Sequence, residues 1–298
     1  MPANADTIDN NFSYADPTDP WFKRLVIRII ERATGQPYLK WVYDDNRAHP
    51  QQGETFWDAA VRRLELNLVY NKEMLDSWPK TGPLVVVANH PFGVLDGIVM
   101  SHIVSKLRTD FRVLTNAVLL RAEEARPWLY PIDFAETEEA LKTNLKSRAE
   151  AKKHLMGGGC LVVFPAGGVS TTPKPWDRTA VDANWGTFTA RLISQAKAPV
   201  APIYFAGQNS RLFQLASHVS ATLRLSLLFK EVHNRIGSNV ALRLGELIPY
   251  EKLATITDRT QFMNLLRDTT YSLGPQTPQV PRRRIKRPRK APGSRGPY

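Results

Sequence analysis

The sequence predicts an α/β fold with a largely parallel central sheet flanked by helices, and an N-terminal helical region. Three observations carry this. Leu84–Val87 and Leu161–Phe164 are unbroken apolar runs, as expected of strands buried on both faces. Each run is stopped by a proline, Pro91 or Pro165, and followed by a glycine-containing turn. Amphipathic helical segments alternate with the strands, and a β–α–β order favours parallel strands with right-handed crossovers.

The elements follow in order. MPANADTIDNNFSYADP is acidic and polar, so no signal peptide is expected, and residues 1–20 are predicted to be flexible. Trp21 to Arg32 is the first organised segment. Trp21, Phe22, Leu25, Val26, Ile29 and Ile30 share one helical face, and Lys23, Arg24, Arg28 and Arg32 the other. Such a basic amphipathic helix can lie in a membrane interface or pack on a core. Thr34-Gly35-Gln36-Pro37 breaks it, and Tyr38 to Gln52 reads as irregular. Phe56 to Leu68 is a second amphipathic helix, with Phe56, Ala60, Val61, Leu64 and Leu68 as its stripe. The turn Trp78–Pro83 leads into the first buried strand.

After Asn89-His90-Pro91 ends that strand, Gly93 permits a turn. Asp96 stands before the apolar segment Ile98–Leu107, where it can cap a helix. A strand is expected over Phe111–Asn116. A long helix follows over Glu136–Met156, with acids near its start and Lys152 and Lys153 near its end, matching the macrodipole. Gly157-Gly158-Gly159 ends it and lacks the G-x-x-x-x-G-K-[ST] pattern of a phosphate loop. Beyond the second buried strand, Thr171–Gly186 is a loop holding Trp176, Asp182 and Trp185. Ala190–Ala196 is a helix and Pro199–Phe205 a strand. Leu223–Phe229 suits a core, or the lining of an acyl tunnel. Val240, Leu242 and Leu244 alternate as in a strand near a sheet edge, and Asp258 with Gln261 suggests a cap for a last helix, Phe262–Tyr271. Residues 21–80 thus form the N-terminal helical region and residues 81–274 the α/β domain.

Composition narrows the chemistry. The single cysteine, Cys160, excludes an intrachain disulfide and a cysteine-cluster metal site, and its apolar surroundings predict a buried thiol. His49, His102, His154, His218 and His233 are scattered without ligand spacing, so no metal site is expected. No G-x-S-x-G elbow is present for a serine hydrolase. No apolar stretch approaches the ~20 residues of a membrane-spanning helix. After Gly274 the chain turns proline-rich, with eight Lys or Arg and no acid in residues 275–298, which accounts for most of the net charge of +12. This tail is expected to be disordered. It suits anionic lipid head groups, would also bind nucleic acid through phosphates, or is simply solvated.

The informative stretch is Pro83–Gly97, PLVVVANHPFGVLDG. A His at a strand end and an Asp at a helix start, joined by a short turn, have the geometry of a general base and the carboxylate that fixes its tautomer. Alone, the pair is also an ordinary strand end plus helix cap. The second site, CLVVFPAGGVST, repeats the strand–proline–glycine logic, and its turn lets backbone N–H groups approach an anionic head group or oxyanion.

Together these motifs resemble the glycerolipid (lysophospholipid) acyltransferase superfamily, from about Trp57 to Leu253. NHPFGVLDG is similar to the bacterial hemolysin-like or ornithine-lipid branch, with five residues between His and Asp where four are usual. Phe164, Pro165 and Gly167 match the family's third motif, Phe-Pro-Glu-Gly, with Ala166 in place of the glutamate. Pro202 in APVAPIYF matches the fourth motif, and GQNSRLFQL is typical of the same branch.

The resemblance implies an acyltransferase in which His90 is the general base and Asp96 orients it. The acyl group passes directly from acyl-CoA or acyl-carrier protein to the hydroxyl of a lyso-lipid, with no cofactor. Substrate-binding candidates are Asn89, Gly97, Arg121, Phe164, Pro165, Gly167, Gly168 and Ser170. The family's second motif falls within Val118–Phe134, where an arginine commonly holds the acceptor's phosphate; Arg121 and Arg126 are its candidates. The expected partners are the donor, the lyso-lipid and an anionic membrane surface, met through the Trp21–Arg32 helix and the Arg282–Lys290 run. The expected place is the cytoplasm, at the inner face of the plasma membrane, with nucleic acid disfavoured as a partner. The alternative is a catalytically inactive lipid- or nucleic-acid-binding protein on the same fold.

Overall fold

The computed structural model describes residues 20–33, 35–135 and 137–274. The flexible N-terminus and basic tail expected from the sequence lie outside the described residues. The chain runs α1 (Trp21–Ala33), α2 (Gln36–Ala48), α3 (Phe56–Arg63), β1 (Asn67–Val69), α4 (Lys72–Asp76), β2 (Leu84–Ala88), α5 (Val94–Ser105) and β3 (Phe111–Asn116). Two 3₁₀ turns, Ala117–Arg121 and Glu123–Trp128, lead to β4 (Leu129–Ile132), followed by α6 (Glu138–Met156) and β5 (Cys160–Val163). The remainder is α7 (Phe188–Ala196), β6 (Val200–Phe205), α8 (Arg211–Val219), α9 (Ala221–Ser226), α10 (Leu228–His233), β7 (Asn239–Leu244), α11 (Tyr250–Leu253) and α12 (Arg259–Ser272).

The seven strands form one sheet in the order β1-β7-β6-β2-β5-β3-β4, and every neighbouring pair is parallel except β6–β7. The α/β class with a largely parallel sheet is therefore observed. β2 is central, and all five of its residues are buried. Its alternation decides the layers. Leu84, Val86 and Ala88 join the core shared with Trp57, Met100 and Phe111 on one face. Val85 and Val87 join Leu155, Ile193 and Phe262 on the other. Burying each such valine is worth roughly 1.5–3 kcal/mol, and a one-residue slip would exchange the two faces.

Three local expectations differ from the structure. Tyr38–Gln52 is largely helical, as α2. Gly35, at φ 102°, precedes a helix with proline in its first turn, so the Gly-Gln-Pro break is also a helix start. The helix expected over Phe56–Leu68 ends at Arg63, and β1 pairs in parallel with β7. Leu64, Leu66 and Leu68 fit either period over so short a run. Asp96 does not precede α5, although its carboxylate does cap the helix start by accepting the Gly93 N–H, at 3.0 Å. Gly93, at φ 75°, precedes the helix, and Asp96 is its third residue. As expected, Asp258 accepts the Gln261 N–H, at 2.7 Å. Cys160 is buried, and burial pushes its thiol up to about 12.

The C-terminal ends of β2, β5 and β6 lie side by side, with Val87 opposite Val163 and Ala88 opposite Ile203. The turns that follow these strands are thus brought to one edge of the sheet, where open α/β sheets hold their ligands.

Candidate active site

His90 follows β2 by two residues, and α5 begins four residues later. The short turn folds Asp96 back under the ring, so that Asp96 Oδ2 lies 3.1 Å from His90 Nδ1. The same oxygen accepts the backbone N–H groups of Phe92, at 2.7 Å, and Gly93, at 3.0 Å. Asp96 is fully buried. Burial pushes its carboxyl above the ordinary value, opposed by the His90 ring and the two N–H donors. Gly93 is required twice over. Its φ is positive, and a Cβ there would stand 2.9 Å from a Leu228 methyl.

His90 and Phe164 follow the neighbouring strands β2 and β5, and their rings meet. The two rings stack with centroids 4.1 Å apart and planes 26° apart. This holds the imidazole in plane while its side chain stays 17% exposed. Among the described residues nothing bonds Nε2. A ring fixed at Nδ1 by a carboxylate and free at Nε2 is arranged to take a proton from an approaching hydroxyl.

The glycine turn has open space. A Cβ on Gly167 or Gly168 would meet nothing within 4 Å. The Gly167 N–H closes the turn by donating to the Phe164 carbonyl, at 3.0 Å, whereas the Gly168 N–H has no partner among the described residues. Pro165 shapes this turn, and its carbonyl accepts the Gly186 N–H, at 2.8 Å.

Other candidates have structural occupations. Asn89 is buried and bonds the Phe205 backbone twice, through Oδ1 at 2.7 Å and Nδ2 at 2.9 Å, tying β2 to β6. The Gly97 N–H faces the Gly93 carbonyl inside α5, at 3.4 Å, so it is no free donor to an oxyanion. Ser170 is buried, and its hydroxyl donates to Asp182. Arg121 closes the 3₁₀ turn after β3, on the connection to β4 rather than on the His90 or Gly167 turns, and it has an interaction partner in the chain.

Sequence reasoning missed the importance of Asp182. Its Oδ1 accepts the His90 backbone N–H, at 3.1 Å, and the Ser170 hydroxyl; its Oδ2 accepts Trp185 Nε1–H, at 2.9 Å. The Ser170 N–H in turn donates to the His90 carbonyl, at 2.8 Å. The peptide of His90 is thereby clamped to the glycine turn through a single buried carboxylate. Asp182 is itself held by α12: its N–H donates to the Tyr271 hydroxyl oxygen, at 2.8 Å, and its carbonyl accepts Arg267 Nη2–H, at 3.1 Å. An aspartate beside an aromatic in a polar loop, VDANW, was the only local signal.

An apolar cavity of about 160 Å³ reaches α5 beside Asp96. Val94, Gly97 and Ile98 line it from that helix, and Trp57, Leu119 and Phe229 are among the other residues of its wall.

Comparison with known proteins identifies the family of the chain. Two lyso-glycine lipid O-acyltransferases are similar along most of both chains. The Phocaeicola vulgatus protein is 24% identical over 264 residues, covering 85% of this chain and 89% of its own. The Bacteroides thetaiotaomicron protein is 25% identical over 265 residues, covering 85% and 91%. The solved structure of PlsC, the 1-acyl-sn-glycerophosphate (LPA) acyltransferase of Thermotoga maritima, covers 84% of this chain and 94% of its own, with a TM-score of 0.47 and 14% identity, a likeness too distant to build on. The sequence model of the acyltransferase family matches residues 33–276, both turns included, and the chain belongs to that family.

Proposed function

We propose that the protein transfers a fatty acyl group from a thioester, acyl-CoA or acyl-carrier protein, to the hydroxyl of a lyso-lipid. The observation that carries this is the His90 ring held between Asp96 and Phe164 with Nε2 unbonded. Nε2 takes the proton of the acceptor hydroxyl as its oxygen attacks the thioester carbonyl. The imidazolium is stabilised by Asp96. The Gly168 N–H, unbonded among the described residues, is the donor on the adjacent turn that suits the oxyanion. When the C–S bond breaks, the proton passes to the thiolate, leaving an ester, a free thiol and neutral His90. The cavity beside α5 suits the acyl chain, since hydrophobic side chains make up most of its lining.

The names of the two similar bacterial enzymes support a lyso-lipid with an amino-acid head group, such as a lyso-glycine or lyso-ornithine lipid. Ala166, standing where the family's glutamate is usual, supports a lyso-lipid over soluble glycerol-3-phosphate.

A peripheral membrane position fits such an acceptor. Among the described residues no helix is long and apolar enough to cross a membrane. α1 instead leaves Trp21, Phe22, Leu25, Val26 and Ile29 exposed, while Ile27 and Glu31 face inward. α8 adds exposed Leu212, Leu215 and Val219, and α9 packs against both helices. These apolar faces, with Arg28 and Arg32 beside those of α1, suit the interface of an anionic bilayer.

The test is purified protein with labelled acyl-CoA and acyl-carrier protein against lyso-glycine lipid, lyso-ornithine lipid, lysophosphatidate and glycerol-3-phosphate. Ester formation on a lyso-lipid is expected. A preference for glycerol-3-phosphate over every lyso-lipid would overturn the acceptor assignment, and the absence of any ester product the whole reading.

A further inference from the structure

The segment that leads into the roof of the His90 turn carries a cation with no partner among the described residues. α10 begins at Leu228, one methyl group of which stands 2.9 Å from a Cβ placed on Gly93, with Val169 at 3.1 Å from the same point. Leu228 therefore closes over the junction between the His90 turn and the glycine turn. It shares one apolar cluster with Phe213, Leu227, Val169 and Leu225. Arg224 lies on α9, four residues before Leu228 in the chain and next to Leu225 of that cluster.

Its guanidinium is half-buried and meets no carboxylate, carbonyl or aromatic ring among the described residues. Other arginines around the site are occupied. Arg211 donates to the carbonyls of Asp177 and Pro175, Arg267 donates to the Asp182 carbonyl, and Arg235 lies over the Phe92 ring and donates to the Gln208 carbonyl. Burial lowers the pKa of Arg224, and no acid among the described residues compensates for it. Holding a cation partly out of water without a counter-charge is costly unless an anion from outside completes it.

A second observation points the same way. The 207–214 segment packs on the same turn, since a Cβ on Gly207 would stand 2.8 Å from the Phe92 ring. It holds two buried amides with unmet hydrogen-bonding capacity. Asn209, 1% exposed, has no partner for either polar atom. Gln214, fully buried, accepts the Thr172 N–H through Oε1, at 2.9 Å, and leaves Nε2 unbonded. Unmet amide groups lie on a segment packed on that turn, and the uncompensated cation lies on the helix that leads into Leu228, an arrangement suited to a charged polar ligand.

We propose that Arg224 binds the anionic head of the acyl acceptor, a carboxylate or a phosphate, and so sets which lyso-lipids reach His90. This rests on the acyl-transfer reading above and assigns the head-group role to a residue outside the family's motifs rather than to Arg121.

The test compares wild type with Arg224→Met, which keeps length and apolar contact, and with Arg224→Lys. Acceptors are lyso-glycine lipid, its methyl ester and lysophosphatidate, with equilibrium binding of a short-chain lyso-glycine lipid and of short-chain lysophosphatidate measured alongside. Loss of a hydrogen-bonded charge should raise KM for an anionic acceptor roughly ten- to a hundredfold. KM for the acyl donor and turnover of the methyl ester should stay near wild type, and lysine should recover part of the loss. The arm that suffers more, carboxylate or phosphate, names the source of the anion.

An Arg224→Met protein with an unchanged KM for every anionic acceptor overturns the proposal. So does one that loses the methyl ester equally, since that loss is structural. If wild type acylates nothing, the acyl-transfer reading fails, and Arg224 is judged by binding alone. Weaker binding of either anionic probe to Arg224→Met sustains it, and equal binding of both refutes it.

Discussion

Replacing Asp96 by asparagine separates charge from shape at the His90 turn. One carboxylate oxygen accepts the Phe92 and Gly93 N–H groups and faces His90 Nδ1, while the other is buried with no partner among the described residues. An amide keeps the first oxygen and loses the charge that stabilises imidazolium. At the 3.1 Å separation, two unit charges in an effective dielectric of about 20 interact by 332/(20 × 3.1), about 5 kcal/mol. That sets a ceiling of several thousandfold on the rate, since about 1.4 kcal/mol is tenfold.

Stability should respond differently. The amide places an N–H₂ where the unpartnered oxygen sits, at a cost of about 1–3 kcal/mol. It also removes a buried charge. Because the folded pKa of Asp96 is raised, ionising it costs stability as pH rises through the folded value. The asparagine protein should lack that cost, so its deficit relative to wild type should be larger in acid than at neutral pH. The assay is kcat and KM for acyl transfer beside urea unfolding at both pH values. A fall in kcat of at least roughly a hundredfold with near-normal KM is expected. A folded Asp96→Asn protein within a few-fold of wild-type kcat would refute the role given to the carboxylate.

Further outcomes follow from the same structure. His90→Ala should lose at least roughly a hundredfold in acyl transfer while the fold persists; full activity in a well-folded variant would remove His90 as the base. His102, His154 and His233 all have pKa values lowered chiefly by burial. The unfolded chain therefore takes up protons first, and their contribution to stability should fall as pH drops below about 6.5. Urea midpoints at pH 7.5 and 5.5 measure the fall, and His233→Gln should reduce it; an equal fall in that variant would exclude His233. Truncation after Gly274 should weaken binding to anionic vesicles at low salt and barely change it at ~1 M salt, where the Debye length is ~3 Å. Co-sedimentation with a duplex DNA competitor checks this, and a tail that matters only for DNA would contradict the membrane role.

The parts of the fold legible in the sequence were those where burial imposes a pattern. Leu84–Val87 and Cys160–Val163 are apolar because both faces of the sheet are covered, and the prolines and glycines after them mark the turns. The apposition of His90 and Asp96 was legible because only a short turn separates them. α2 was hidden because Tyr38, Leu39, Trp41, Val42 and Tyr43 follow one another without a single stripe, and only Gln36 and Val42 of that helix are buried. The clamp at Asp182 was illegible for a different reason. Its bond to His90 spans 92 residues, and no local periodicity encodes a partner so far away. Likewise Asn89 and Ser170 look like ligand groups in sequence, because the distant backbone and carboxylate that occupy them cannot be seen there.

That long-range clamp has a consequence for the order in which the enzyme matures. His90 and Asp96 can adopt their turn once β2 and α5 exist, early in synthesis. Asp182 cannot take its place until Tyr271 and Arg267, near the end of the described chain, have docked. Those two residues supply no atom to the proposed chemistry, yet the peptide of His90 is secured through them. A nascent chain still lacking its last helix would therefore carry the proposed base on an untethered turn. Such a chain should be a poor catalyst, and a poor thioesterase too, until its C-terminal segment has emerged and closed the structure.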